Sequence, residues 1–253
     1  MSLPRYCLKS EALYKIYMKW RNFTGGIKKK EMRKFYRQFI NKGDMVFDIG
    51  ANIGNRTDIF IELGATVIAV EPQSSCARIL KTKYGKNNRF ILINKALAEK
   101  EGQAEMMISD ASTISSLSKD WVDAVRKSGR FGNHKWDGKE TVQTTTLDKL
   151  IEEYGVPSFI KIDVEGYEYE VLRGLTKPVN VISFEFTPEC LESAFNCLNY
   201  LSKLGAVVMN YSVGESMKWS LDKWVSPIEI IKILSEFEND NKLFGDIYAK
   251  FKR

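Results

Sequence analysis

Histidine, clustered cysteine and long apolar runs are what this chain lacks, and each shortage closes a class of function. Among its 253 residues are four cysteines, Cys7, Cys76, Cys190 and Cys197, widely scattered and without a CxxC pair, and a single histidine, His134. Tetrahedral zinc sites need Cys and His at close spacing. A zinc centre of that kind is excluded, and reduced thiols are expected. Cys190, in the stretch TPEC, stands where a helix starts after a strand and reads as a helix-start or core thiol with no chemistry of its own. No apolar stretch approaches the roughly 18 residues that cross a membrane, and the amino terminus lacks the charged, apolar and small-residue pattern of a secretory signal. A cytoplasmic protein is the expectation. Internal repeats and low-complexity tracts are also missing.

Acid is scarce in one place. Residues 1–42 hold twelve Lys or Arg against Glu11 and Glu31, a net of +10 in a chain whose total is +6, which leaves −4 for the remainder. The basicity therefore belongs to the amino-terminal segment. Leu13, Ile16, Tyr17 and Trp20, then Met32, Phe35, Tyr36, Phe39 and Ile40, recur at helical spacing on either side of Gly25 and Gly26. Two amphipathic helices over 10–23 and 28–41 are predicted, apolar stripes inward and a basic face outward. That face either serves solubility or attracts an acidic acceptor, an anionic membrane surface or RNA. The expected organisation is a basic helical segment over 1–42 packing on a domain over 43–253, a length that suits one α/β core.

From Gly43 strands and helices alternate, the pattern of a parallel sheet with right-handed crossovers. Strands are predicted at 44–49, 66–71, 89–94, 159–163 and 179–186, with helices at 56–63, 74–84, 147–154 and 190–204. The middle is less regular: a strand over 104–109, a helix over 117–127, a glycine, aromatic and basic loop over 128–139, and a strand over 142–145. A strand over 207–211, a helix over 227–237 and a strand over 244–251 complete the sheet.

The chemistry is carried by VFDIGANIGN, Val46 to Asn55, and by VIAVEP, Val67 to Pro72. An acid about 20 residues after a glycine turn is the spacing that presents a carboxylate to the ribose hydroxyls of a nucleoside. Asp48 closes the first strand, and Gly50 and Gly54 permit positive φ and a close backbone approach to a ligand. Asn52 stands where a dinucleotide fingerprint has its second glycine, and its side chain fits poorly under a pyrophosphate. S-adenosylmethionine (SAM) has no phosphate and offers an ammonium and a carboxylate that Asp, Asn and backbone amides can hold. The turn therefore favours SAM over NAD.

These stretches, together with NKALA at 94–98, TTTLDKL at 144–150, FIKIDVEGYEYEVLRGL at 159–175 and ISFEF at 182–186, occur in the order seen in FkbM-type methyltransferases. The chain resembles that family over about residues 40–250, most specifically in the KIDVEGYE block. The resemblance implies a class I, Rossmann-like fold: a mostly parallel seven-stranded sheet, helices on both faces and an antiparallel C-terminal strand. It also implies SAM-dependent O-methylation of a sugar, glycan or secondary-metabolite acceptor, and it places Asn94 and Ala96 near the adenine.

The candidate cofactor residues are Asp48, Gly50, Asn52, Gly54 and Glu71, joined through the resemblance by Asn94 and Ala96. On the acceptor side Asp163, Glu165 and Glu185 end strands at one rim, where they could hold the SAM ammonium, deprotonate a hydroxyl or bind a divalent metal. Glu168 reads as a surface acid in a first helical turn. His134, with a pKa suited to proton transfer, is a second candidate base, and the loop around it is expected to touch acceptor. Three other readings stay open. They are a nucleic-acid methyltransferase using the basic segment, disfavoured by DVEG in place of an NPPY-like tetrad; a non-catalytic SAM-binding adaptor; and a dehydrogenase.

Overall fold

The computed structural model describes residue 26, residues 28–237 and residues 243–252. Helix 10–23 lies outside the described residues. Residues 28–36 form helix α1, which buries Met32, Phe35 and Tyr36.

The predicted alternation is present. Five parallel strands, β1 (Met45–Ile49), β2 (Thr66–Val70), β3 (Phe90–Ile93), β7 (Phe159–Ile162) and β8 (Val181–Phe186), share a sheet with β9 (Val207–Val213) and β10 (Gly245–Phe251). The order is β3-β2-β1-β7-β8-β10-β9, with β10 antiparallel to both of its neighbours. This is the class I methyltransferase arrangement expected above. Strands such as TVIAV and FIKI are rich in β-branched residues because both faces are covered.

Alternate residues feed two cores. Phe47, Ile49, Ile160, Ile162 and Phe184 point toward helices α5 (Leu147–Tyr154), α6 (Glu168–Arg173), α7 (Leu191–Leu204) and α8 (Pro227–Ser235). Val46, Val67, Ala69, Phe159 and Tyr248 pack instead with α1, α2 (Asn55–Glu62) and α3 (Ser74–Tyr84). The caps are conventional: Thr146 and Ser118 accept from the third residue of α5 and of α4 (Lys119–Ser128), and Ser226 and Glu229 form a capping box on α8.

The irregular middle is a second, three-stranded sheet. Strand β6 (Gly138–Thr145) pairs antiparallel with β5 (Gly102–Ile108) and parallel with β4 (Ala96–Leu97). Strand β6 begins four residues before the predicted strand 142–145, and β4 was not anticipated. Both escape a hydrophobic-pattern reading because β6, GKETVQTT, is half exposed and mostly polar and β4 has two residues. The loop before β6 is anchored: Trp136 is buried against Trp121, Val122 and Val125, and its Nε1 donates to the Ile114 carbonyl at 2.6 Å.

Candidate active site

A cleft opens above the carboxyl ends of β1, β2, β7 and β8, where open α/β sheets bind ligands. Its floor is the turn after β1. Gly50 (φ +77°), Asn52 (φ +48°) and Gly54 (φ +88°) all adopt left-handed conformations. Both glycines take the expected positive φ, and protein fills the space where their Cβ atoms would stand. A Cβ on Gly50 would lie 1.9 Å from the Asp163 carbonyl oxygen, and one on Gly54 would meet the Tyr84 ring at 2.7 Å. The glycines make room for the protein's own backbone and packing. Gly50 lines the cleft, whereas Gly54 sits behind it, beneath Tyr84, whose hydroxyl donates to the Gly54 carbonyl at 2.9 Å.

Asp48 and Glu71 lie at this end, each 2% exposed. Burial pushes Asp48 up to about 6, against the hydrogen bond donated by Thr57 Oγ1 at 2.5 Å. Burial likewise raises Glu71 to about 7, opposed by the backbone N–H groups of Gln73 and Asn52, each donating at 2.8 Å to a different carboxylate oxygen. Each oxygen keeps a lone pair for a further donor. Ala96, Leu97, Met106 and Leu117 form an apolar wall beside them. Asn94 does not reach the cleft. Its amide donates to the carbonyls of Glu71 and Pro72 at 2.8 and 3.0 Å and so fixes the end of β2.

The opposite wall holds the second set of acids. Asp163, Glu165 and Glu185 each present a carboxylate oxygen within 4.8 Å of the others. Glu165 takes φ +56° and Gly166 φ +86°, two left-handed residues in succession, a conformation that persists only where the surroundings enforce it. A Cβ on Gly166 would lie 2.3 Å from the Trp121 side chain. Ser116 Oγ donates to the Glu165 carbonyl at 2.6 Å, and Glu168 Oε1 accepts from the backbone N–H groups of Val164 and Gly166 at 3.2 and 3.3 Å. Glu168 is therefore no surface acid. It is 4% exposed and pushed up by burial to about 7, a buried clamp on the turn.

Lys161 underlies this wall. Its ammonium, 1% exposed, lies 2.8 Å from Asp246 Oδ1 and 3.3 Å from Asp163 Oδ2. Burial opposes its charge, and the two carboxylates overcome that and hold it protonated. Burial raises Glu165 and Glu185 well above the ordinary carboxylate range; repulsion from Glu185 adds to this at Glu165, and repulsion from Asp163 at Glu185. Two carboxyl groups so coupled, Glu165 and Glu185, resist carrying two full charges at once.

His134 lies outside the lining of the cleft. It is exposed, with Nδ1 2.8 Å from Asp110 Oδ1, and Arg130 in the same loop is tied to Glu189 by contacts of 2.8 Å. None of the residues 128–139 is among those that line the cleft. What closes the cleft is the adjoining strap, residues 111–118, of sequence ASTISSLS. Asn52 Nδ2 donates to Ser112 Oγ at 3.3 Å, and Gln73 Nε2 to the Ser112 carbonyl at 3.0 Å. Sequence reasoning missed the strap, Gln73 and Arg56. Only the place of Gln73, next to the acid that ends β2, gave a signal.

The donor set suits SAM: carboxylates for a diol and an ammonium, and an apolar wall for a ring. A family described as "Methyltransferase FkbM domain" matches residues 48–216. Hexuronic acid methyltransferase AglP of Haloferax volcanii is 28% identical over 146 residues, 56% of this chain and 54% of that protein. The chain thus spans about half the length of the curated relative it matches. Of solved structures, a precorrin-6y C5,15-methyltransferase from Geobacter metallireducens GS-15 is 12% identical, with 89% of this chain and 87% of that one covered and a TM-score of 0.43. A TehB-like SAM-dependent methyltransferase from Corynebacterium glutamicum is 11% identical, with coverages of 95% and 100% and a TM-score of 0.41.

Proposed function

Because this chain belongs to the FkbM methyltransferase domain family, we propose that it methylates a hydroxyl of a sugar, glycan or secondary-metabolite acceptor, with SAM as donor. The observation that carries this reading is the division of one cleft into two acidic ends in different surroundings. At the Glu71 end, Glu71 would take the ribose hydroxyls, Asp48 and the Asn52 turn the methionine moiety, and Ala96, Leu97 and Met106 the adenine. SAM supplies a methyl carbon made electrophilic by the adjoining sulfonium.

At the other end the protein must hold an acceptor oxygen in line and exclude water. Glu165 or Glu185, raised by burial and by acidic neighbours and so a stronger base than a free glutamate, would take the hydroxyl proton. Asp163, held by the Lys161 ammonium at 3.3 Å, would stand beside the pair as a fixed carboxylate. The same three carboxylates are near enough to hold a divalent cation. The ammonium 3.3 Å from Asp163 already compensates part of their charge and favours the metal-free reading. A sugar acceptor is supported by the hexuronic acid in the name of the Haloferax relative.

Release of S-adenosylhomocysteine from SAM over a panel of sugars, before and after chelation, is the test. Turnover that survives chelation is expected, and turnover restored only by a metal would reassign the three acids. Calorimetry with SAM and NADH side by side separates the dehydrogenase alternative, which tight NADH binding without SAM heat would establish.

A further inference from the structure

Building on the methyl-transfer reading, we propose that Arg56 and Glu215 form a carboxylate seat at the acceptor end, so that the preferred acceptor is an acidic sugar of the uronic acid class. Arg56 stands in the first turn of α2 and, among the described residues that line the cleft with Asp163 and Glu185, is the only Lys or Arg. Its side chain is 13% exposed. A guanidinium offers five N–H donors, and most of these are poorly met here. Among the described residues, Nη2 lies 3.1 Å from Glu215 Oε1, Nη1 meets the Met32 thioether at 2.8 Å, and buried Nε has no partner. A thioether is a weak acceptor, and a buried guanidinium so placed is costly without an anion.

Glu215 is the protein's own stand-in for that anion. It follows Gly214 (φ +53°) on the loop after β9, its side chain is 40% exposed, and its second oxygen meets Lys28. Glu215 can therefore turn outward to solvent and Lys28 and leave Arg56 to an incoming carboxylate. The Arg56–Glu215 contact given up in the exchange is replaced by the incoming carboxylate's own contact with the guanidinium, while Glu215 keeps Lys28. A carboxylate docked on the planar fork would be held bidentately. The sugar would then be oriented with its ring hydroxyls toward Glu165 and Glu185. At the other end of the cleft Asp48 and Glu71 would repel such a ligand.

The test is titration of glucuronate, and of methyl glucoside as its neutral counterpart, by saturation-transfer NMR with and without S-adenosylhomocysteine. Wild type is expected to bind glucuronate about tenfold more tightly than the glucoside, which corresponds to about 1.4 kcal/mol. Glu215→Ala should tighten glucuronate severalfold and leave the glucoside unchanged. Arg56→Gln should erase the preference while retaining S-adenosylhomocysteine affinity, which also reports an intact fold. Arg56→Lys should restore part of the preference, because a point charge lacks the fork. Equal affinity for the two sugars, or no saturable glucuronate binding to wild type and Glu215→Ala, overturns the proposal. So does an Arg56→Gln protein that loses only S-adenosylhomocysteine, since the guanidinium would then serve the cofactor's own carboxylate. If S-adenosylhomocysteine fails to bind wild type, the methyl-transfer reading falls separately, and the titration without it still decides the seat.

Discussion

At the residue scale the two ends of the cleft make opposite demands on the same side chain, glutamate. Glu71 is held by two backbone amides at the cofactor end, and Glu165 is held open by a left-handed backbone at the acceptor end. Glu71→Ala is expected to weaken SAM binding by one to two orders of magnitude, roughly the loss of two charge-assisted hydrogen bonds. Glu165→Ala should leave SAM affinity within about twofold and abolish turnover. Calorimetry for binding and S-adenosylhomocysteine release for turnover distinguish the two variants, and the reverse pattern would exchange the roles assigned to the two ends. The sequence disclosed the identities of these acids because acids that end apolar strands stand out. It hid their surroundings, since burial at Glu168 and the exposed Asp110 pair of His134 depend on residues far away in the chain.

Between residue and sheet lie the short elements that hold the turns. Glu168, first residue of α6, clamps the turn that carries Glu165, and its pKa of about 7 lies above its ordinary 4.5. An acid raised on folding contributes stability that is complete below about pH 4.5 and is lost as the pH climbs through about 7, roughly 3 kcal/mol in all. Glu168→Gln keeps an acceptor oxygen for Val164 and Gly166 without the titration. Its melting temperature, measured from pH 4 to 8, should gain on wild type as the pH rises, and parallel curves would remove Glu168 from this account. The strap over residues 111–118 makes a similar case. Gln73→Ala removes its tie to the Ser112 carbonyl and should speed amide hydrogen exchange across the strap while leaving β1 and β7 protected. Unchanged exchange would mean that Asn52 and Ser116 suffice. Buried strands such as FIKI are legible from composition alone. The strap is not, because ASTISSLS has neither period and takes its shape from residues far away in the chain, among them Asn52, Gln73, Trp136 and Glu165.

For the molecule as a whole, α1 belongs to the core. Phe35, 6% exposed, has ring centroids 4.7 Å from Trp219 and 5.3 Å from Tyr248. Phe35→Ala should cost about 3 to 5 kcal/mol, read as a fall in melting temperature of about 2 to 4 °C per kcal/mol. A change within a degree would make α1 an accessory. The helix was legible from its aromatic spacing, although it ends at residue 36 and not at 41 as that spacing suggested, but its partners Trp219 and Tyr248 were not, because a stripe shows that something is covered without showing by what. The strand order has a consequence for how the protein is made. Strand β9 has β10 as its only neighbour in the sheet, and β10 slots between β8 and β9 although it is translated after both. Until Gly245–Phe251 leaves the ribosome, the nascent sheet carries two unsatisfied strand edges facing one gap, the kind of surface that chaperones shield and aggregates exploit.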